Sequence, residues 1–242
     1  MKALVDLFIP RMCIVCGTRL DLGENSLCTG CLAEIPFTYF WSVAANPMAD
    51  TYNALIQERT ERGGFVEPYQ FACALFHYNN EEGYAKITKS LKYHADLRTG
   101  RLFSGMLGRR LGGSAMYFDV DVIIPVPLHR RRLWKRGYNQ AEVIATGIAR
   151  ETGARLETRL LVRGKYTKSQ TRLSHEEKSL NVRDAFVLRK SKVQYPLPRH
   201  VLLVDDVFTT GETLFACYRV LREVFPPYVR ISLATLAYAG DR

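Results

Sequence analysis

Apolar runs alternate with amphipathic segments along most of the chain, from about residue 69 onward. Short apolar runs predict buried strands, whereas apolar residues spaced three and four apart predict helices that pack on one face. The pattern predicts strands over 69–76, 120–126, 156–162, 200–206 and 229–236, and helices around Tyr84, Ile87 and Leu91, over 100–111, over 139–151 and from Thr213 onward. This alternation is typical of an α/β domain with a mainly parallel sheet flanked by helices.

One predicted strand leads directly into candidate chemistry. The apolar run His200-Val201-Leu202-Leu203-Val204 is followed by Asp205 and Asp206, and the turn Thr209-Thr210-Gly211-Glu212-Thr213 then opens a helix. Parallel sheets bind ligands beyond the carboxyl ends of their strands, and a helix N-terminus favours a phosphate. Carboxylates accept hydrogen bonds from sugar hydroxyls, and the threonine hydroxyls can donate to a phosphate. The stretch therefore predicts a site for a phosphorylated ribose. We expect the two acids to support no core packing. The alternative is an ordinary strand-turn-helix whose threonines cap the helix.

A second cluster of polar residues follows the strand predicted over 120–126. Pro125-Val126-Pro127 leads into a loop with five permanent cations, Arg130, Arg131, Arg132, Lys135 and Arg136. The loop is expected at the same sheet edge as the two acids, where guanidinium groups bind a diphosphate bidentately. The alternatives are a solvated basic loop or a surface that contacts nucleic acid, with Trp134 and Tyr138 available to stack on bases.

The first forty residues form a distinct unit with paired cysteines. Cys13 and Cys16 are separated from Cys28 and Cys31 by eleven residues. Four thiolates on two tight turns predict a structural zinc site, which stabilises a module too small for a core of its own. A disulfide pair and an iron or redox site are the alternatives. We therefore predict a zinc-knuckle module over 1–40, a connector with one short helix over 41–68, and the α/β domain over 69–242.

Composition adds an expectation about partners and location. The formal net charge of +10 and the pI of about 9.4 favour an anionic ligand, nucleic acid or both, although a basic soluble surface would give the same numbers. No apolar run approaches the length of a membrane span. We expect no membrane insertion and a cytoplasmic location, where cysteine pairs indicate metal more often than disulfides.

The double CxxC, the cationic stretch and the Asp-Asp turn occur in the order seen in the ComF family, which the chain resembles over nearly its whole length. Further matches are Leu91-Lys92-Tyr93, Arg136-Gly137-Tyr138-Asn139-Gln140, Thr167-Lys168-Ser169-Gln170-Thr171 and Asn181-Val182-Arg183-Asp184-Ala185-Phe186. The turn itself resembles the signature of type I phosphoribosyltransferases. Lys178 departs from the pattern, in which we expect an arginine.

The resemblance implies a zinc knuckle joined to a type I phosphoribosyltransferase domain that binds phosphoribosyl pyrophosphate with magnesium. It implies that Asp205 and Asp206 hold the ribose hydroxyls. The 5-phosphate would be held by Thr209, Thr210, Gly211, Glu212 and Thr213, and the diphosphate would meet Pro127, Leu128, His129 and Arg130. The polar stretch 164–181 is long for a loop of a compact α/β domain, which predicts a segment that closes over the sugar, with a disordered surface loop as the alternative. No general base is assigned.

Three functions remain open from the sequence. The first is an enzyme that transfers ribose 5-phosphate to a nitrogenous acceptor, in DNA uptake or nucleotide metabolism. The second is a non-catalytic accessory protein for DNA uptake that binds single-stranded DNA or a nucleotide, with competence and DNA-uptake proteins as partners. The third is a structural zinc scaffold, which would have no need of the Asp-Asp pocket.

Overall fold

The computed structural model describes residues 10–59, 67–78, 83–93, 95–164 and 185–240. The helices, in chain order, are α1 (Thr29–Ala33), α2 (Pro47–Arg59), α3 (Ala85–Tyr93), α4 (Leu97–Gly112), α5 (Arg130–Arg136), α6 (Gln140–Thr152) and α7 (Glu212–Arg222). The strands are β1 (Ala72–His77), β2 (Val122–Pro125), β3 (Arg155–Leu156), β4 (Leu161–Arg163), β5 (Phe186–Leu188), β6 (His200–Phe208) and β7 (Arg230–Tyr238). The stretch predicted to close over the sugar lies almost wholly outside these residues, as do Lys178 and the motif at 167–171.

The main sheet has five parallel strands in the order β1-β7-β6-β2-β3, and β4 pairs with β5 in a separate antiparallel ribbon. The apolar runs of β6 and β7 are buried, as expected for central strands that are covered on both faces. Helices α4 and α6 pack on each other and on the sheet, and α2 and α7 do the same. The predicted α/β fold with a mainly parallel sheet flanked by helices is confirmed.

The segment after the paired cysteines covers the outer edge of β1. Phe37 forms an antiparallel bridge with Phe76. The His77 backbone N–H donates to the Pro36 carbonyl at 2.8 Å, and the Thr38 N–H donates to the Leu75 carbonyl at 3.2 Å. These bonds satisfy backbone groups that an exposed edge strand would leave unpaired. They also fix the four-cysteine module beside this edge of the sheet.

Helix α2 lies in the stretch predicted as a connector. Its buried side consists of Met48, Ala49, Tyr52, Asn53, Leu55 and Ile56. The Tyr52 ring meets the Tyr218 ring of α7 edge-on, with centroids 5.6 Å apart. The predicted short helix is therefore present, spans thirteen residues and contributes side chains to the core. The boundaries predicted for the three units stay predictions.

Three local expectations were wrong. The strand predicted over 156–162 is two short strands, because Leu156 pairs with β2 in the main sheet whereas Leu161 pairs with β5 in the separate ribbon. The stretch after Pro127 was predicted as a loop, but residues 130–136 form helix α5, because His129 caps its N-terminus and Gly137 ends it with φ +83°. The strand expected to end at Asp205 and Asp206 continues to Phe208, because β7 pairs with it as far as Tyr238. Of the helices described, none combines the length and the apolar character that a membrane crossing requires.

Candidate functional site: an anion-binding cavity beside a four-cysteine module

The four paired cysteines come together as expected. The Sγ atoms of Cys13, Cys16, Cys28 and Cys31 all lie within 4.8 Å of one another, and those of Cys16 and Cys28 are 3.7 Å apart. Zinc binds thiolates at about 2.3 Å, so tetrahedral coordination separates two sulfurs by about 3.8 Å. All four are free thiols, which does not agree with the disulfide alternative. The cluster fits a metal ion such as zinc.

Each cysteine pair is shaped by a local turn. The Cys13 N–H donates to the Thr18 carbonyl at 2.7 Å, and Gly17 has a φ of +76°, which a glycine adopts without strain. Cys28 caps α1, and its Sγ accepts from the Cys31 N–H at 3.5 Å. The Thr18 hydroxyl, 3.3 Å from Cys16 Sγ, lowers the pKa of that thiol to about 6. A thiol of this kind is readily converted to the thiolate form that metals bind.

A cavity of about 460 Å³ opens at the carboxyl ends of β1, β7, β6 and β2. Its volume is in the range of small-molecule sites. The lining residues are Tyr78, Thr88, Lys89, Lys92, Tyr93, Val126, Leu128, Arg132, Arg136, Gln140, Arg163, Asp205, Asp206, Val207, Thr209, Thr213 and Ala239. Five of these are lysines or arginines and two are aspartates, so the cavity has an excess of positive charge. Such a lining favours a ligand with several negative charges.

The two acids lie inside β6, one residue beyond the point where β2 stops pairing with it. Pro125 is the last β2 residue in register, opposite Val204. Because β2 ends there, the cavity opens beside Asp205 and Asp206. Successive side chains of a strand point to opposite faces, which leaves Asp205 partly exposed and Asp206 buried. The prediction that both acids support no packing is therefore wrong for Asp206.

A lysine from α3 neutralises the buried acid. Lys92 Nζ lies 2.8 Å from Asp206 Oδ2. Burial lowers the pKa of Lys92, but the Asp206 carboxylate more than offsets this, and the net pKa is raised. The pKa of Asp205 is raised to about 7 by burial and by the negative charge of Asp206. Asp205 thus changes charge close to neutral pH.

The turn after β6 places backbone and hydroxyl groups at the cavity. Thr209 and Thr213 line it. The N-cap of α7 is Gly211, with φ +78° and no side-chain capping bond, so the threonine caps offered as an alternative are not formed. A Cβ on Gly211 would lie 3.0 Å from Leu55 Cδ1 and 2.9 Å from Phe208 Cζ. Helix α7 thus begins after a glycine, which has no side chain to cap it.

Glu212 faces away from the cavity. Its two carboxylate oxygens accept from Arg59 of α2 at 2.7 and 2.8 Å. Helix α2 thus supports the turn through Arg59 and Leu55, which explains what the stretch 41–68 contributes to this site. Thr210 is exposed and does not line the cavity.

Helix α5 divides its cations between the cavity and solvent. Arg132 and Arg136, four residues apart and hence on one face, line the cavity. Arg130, Arg131 and Lys135 are exposed. Of the stretch 127–130, only Leu128 lines the cavity, and the His129 Nδ1 accepts from the Arg131 N–H at 3.2 Å as a helix cap.

Of the predicted site residues, the structure brings Asp205, Asp206, Thr209, Thr213 and Leu128 together around one cavity. It places Thr210, Gly211, Glu212, Pro127, His129 and Arg130 beside that cavity but outside its lining.

Sequence reasoning assigned no role to Lys89, Lys92 or Arg163, although Lys92 lies in a stretch that matches the ComF pattern. Burial and the neighbouring Arg132 guanidinium lower the pKa of Arg163, as expected where like charges converge. The missed residues come from β4 and α3, which are distant in sequence from the Asp-Asp turn, so no local pattern could link them to it.

Known proteins resemble this chain at the level of whole sequences. Competence protein F of Haemophilus influenzae is 31% identical over 226 residues, which cover 90% of this chain and 93% of that protein. The DNA utilization protein YhgH of Salmonella typhimurium is 31% identical over 215 residues, covering 86% of this chain and 89% of that protein. No protein-family model matches the chain.

Among solved structures, the adenine phosphoribosyltransferase of Leishmania tarentolae shares 15% identity with a TM-score of 0.33, covering 64% of this chain and 74% of that one. A likeness at this level carries no argument about fold or function. The match to competence protein F, in contrast, extends over nearly the full length of both chains. The chain belongs to the ComF family, the family of competence protein F.

Proposed function

We propose that the protein binds phosphoribosyl pyrophosphate with magnesium in this cavity and transfers ribose 5-phosphate to a nitrogenous acceptor. The reaction would serve DNA uptake or nucleotide metabolism, in keeping with the names of its relatives. The proposal rests on one observation: an Asp-Asp pair, the N-terminus of α7 and five cations surround one cavity.

Each part of the ligand has a counterpart in the lining. Asp205, the partly exposed acid, is the acceptor for ribose hydroxyls. The 5-phosphate is held by the Thr209 and Thr213 hydroxyls and by the first N–H groups of α7. The diphosphate meets Arg132 and Arg136, whose guanidinium groups bind phosphate oxygens in pairs. Leu128 precedes these arginines on the chain and lines the same cavity, so that its backbone would lie close to the same anion.

The chemistry follows from where charge develops. As the bond from the anomeric carbon to the diphosphate breaks, the sugar becomes positive and the leaving group gains negative charge. Arg132, Arg136 and Lys92 stabilise the leaving group, and the Asp205 carboxylate stabilises the sugar. Magnesium, a hard cation that prefers phosphate and hydroxyl oxygens, adds positive charge at the diphosphate when bound. The acceptor nitrogen attacks the anomeric carbon and loses its proton to solvent or to a basic group of the acceptor.

Calorimetric titration of phosphoribosyl pyrophosphate and magnesium into the parent protein and the Asp205→Asn/Asp206→Asn variant tests this assignment. The variant loses the charge-assisted bonds of Asp205 to two ribose hydroxyls, each worth about 1.5–3 kcal/mol, so affinity is expected to fall about a hundredfold or more. Asp50→Asn, which changes an exposed acid of α2, serves as the control with parent-like affinity. Equal affinities of the parent and the double variant would remove the ribose assignment, and turnover with candidate bases separates an enzyme from a binding protein.

A second function is favoured by the outer face of α5. Trp134 is 90% exposed and is surrounded in sequence by the exposed Arg130, Arg131 and Lys135. An exposed indole among cations is suited to stack on unpaired bases while the cations contact phosphates. We propose that this face binds single-stranded DNA while the inner face serves the cavity, in a cytoplasmic protein that works with other competence proteins.

We also propose zinc as the ion of the four-cysteine module, with a structural role. The donor set is all thiolate and leaves no open position, which is the arrangement of structural rather than catalytic zinc sites.

A further inference from the structure

Helix α3 connects the four-cysteine module to the cavity. At its N-terminal end, the Tyr84 hydroxyl donates to the Cys31 carbonyl at 2.7 Å, and Lys86 Nζ donates to the Val15 carbonyl at 2.8 Å. At its other end, Lys89 and Lys92 line the cavity, and Lys92 holds Asp206. One helix of nine residues therefore contacts both sites.

The two anchor points belong to different cysteine pairs. Val15 lies between Cys13 and Cys16, and Cys31 is itself the last of the four cysteines. The relative position of their carbonyls depends on what holds the two pairs together, and an ion bound to all four sulfurs does so directly. Without that ion, the four thiols add no bond between the turns, and the Ile14 N–H bond to the Ser26 carbonyl at 3.0 Å is left to join the first turn to the segment before the second pair.

The contact between α3 and the module is close. Tyr84 is 7% exposed, so its bond to Cys31 is made in a buried setting. A Cβ on Gly83 would lie 2.5 Å from the Val15 carbonyl oxygen, which means that the backbone before α3 lies directly against the first cysteine turn. A displacement of this turn would therefore shift the start of α3.

We infer that the four-cysteine module positions Lys89 and Lys92 in the cavity through the first turn of α3, so that metal binding at the cysteines and anion binding in the cavity strengthen each other. Tyr84 and Lys86 are positioning residues in this scheme, because they touch neither site's ligand. Coupling between two binding sites is reciprocal: the factor by which metal raises ligand affinity equals the factor by which ligand raises metal affinity. The inference rests on the proposed binding of phosphoribosyl pyrophosphate for one of its two measurements.

Gly83→Ala tests the link without altering any polar group. Its matched control is Gly23→Ala, within the four-cysteine module, where a Cβ meets nothing within 4 Å. We expect Gly83→Ala to weaken phosphoribosyl pyrophosphate binding about three- to tenfold, the equivalent of about one buried hydrogen bond, and to raise the rate of zinc loss to a chelator. We expect the ligand to slow zinc loss from the parent and from Gly23→Ala. Parent-like ligand affinity together with parent-like zinc retention in Gly83→Ala would overturn the inference.

Tyr84→Phe serves if Gly83→Ala does not fold, because it removes one hydroxyl and keeps the ring. Its control is Tyr228→Phe, whose side chain is 74% exposed. Tyr84→Phe is expected to reduce both affinities, by about two- to tenfold, and Tyr228→Phe neither.

Hydrogen exchange of the parent protein separates this inference from the proposed ligand. Removal of zinc with a chelator is expected to raise the exchange rates of the amides at 89–93 at least about threefold, while those of β7 stay unchanged. If phosphoribosyl pyrophosphate does not bind the parent, the proposed function fails, and this measurement alone decides the coupling. Unchanged exchange at 89–93 on zinc removal would overturn it.

Discussion

Lys92 Nζ lies 2.8 Å from Asp206 Oδ2, and this pair joins α3 to the strand that carries the ligand acids. The Asp206 side chain is 5% exposed and that of Lys92 is 29% exposed. A carboxylate this deeply buried requires a nearby cation, because leaving one charge of a buried pair alone is costly. Asp206 therefore holds a cation at the cavity, while Asp205 remains the acid that a ligand can reach.

Removal of Lys92 is expected to destabilise the fold. Lys92→Met leaves the Asp206 carboxylate buried beside an apolar side chain, at a cost of about 2–4 kcal/mol, below the full range for buried pairs because Lys92 is partly exposed. Lys92→Met/Asp206→Asn is expected to recover much of this loss. Urea denaturation of the parent, both single variants and the double variant gives the coupling energy of the pair. Additive losses would show that the two charges do not interact.

The pH dependence of stability is expected to reveal Asp205. Burial and the Asp206 charge raise its pKa to about 7 in the folded protein, whereas an unfolded aspartate titrates near 3.9. Between these values the folded state binds more protons than the unfolded state, so stability falls as pH rises from about 4 to 7 and levels off above.

Asp205→Asn removes this contribution. The free energy of unfolding of the parent is expected to fall between pH 5 and pH 8 by about 1–4 kcal/mol more than that of Asp205→Asn, measured by urea denaturation at each pH. Because Asp206 and Lys92 are present in both proteins, the difference reports on Asp205. The same slope in both proteins contradicts the raised pKa.

One equivalent of zinc is expected per chain in freshly purified protein. Cys13→Ser removes one of four thiolate ligands and is expected to reduce the zinc content to well below half an equivalent, because structural sites use all four positions. Cys73→Ala is the control, since Cys73 lies in the core of β1 outside the cluster and its loss leaves the zinc ligands intact. Metal analysis after gel filtration provides the stoichiometry. Parent protein without metal, and with its cysteines paired as disulfides, would refute the site.

Single-stranded DNA binding is expected to depend on salt through the outer face of α5. The logarithm of the affinity should fall with the logarithm of salt concentration with a slope of about −0.7 for each phosphate contacted. Arg130→Ala/Arg131→Ala/Lys135→Ala is expected to flatten that slope by about two units and to leave phosphoribosyl pyrophosphate affinity within about twofold, because these three side chains do not line the cavity.

The matched control for this experiment changes three other exposed cations, in Arg159→Ala/Lys190→Ala/Lys192→Ala, and so alters the net charge equally. Fluorescence anisotropy across about 50–200 mM salt measures both slopes. If the parent does not bind DNA even at the low-salt end, α5 has no role in nucleic acid binding, and the cavity alone defines the function.

The sequence by itself determined most elements of the main sheet and its flanking helices, and two of the local motifs. Apolar runs and helical spacing are local properties of the chain, which is why the strands around Val122 and Leu233 and the helices around Ile87 and Ile148 lie where the pattern predicts them. The CxxC pairs bring their thiols close through one tight turn each, and the spacing of Asp205, Asp206 and Thr213 is set by a single strand, turn and helix. Each of these features depends on a few residues, and those residues are adjacent in sequence.

Only the tertiary structure decided what surrounds those motifs. Parallel pairing of β2 with β6 places α5 at the cavity, and the packing of α3 brings Lys92 to Asp206 across more than a hundred residues of sequence. The two acids differ in burial because they lie on opposite faces of β6, and Glu212 turns away because Arg59 of α2 binds it. Such relations depend on which elements pack together, and packing energy is summed over many weak contacts distant in sequence, so no local pattern of residues encodes them.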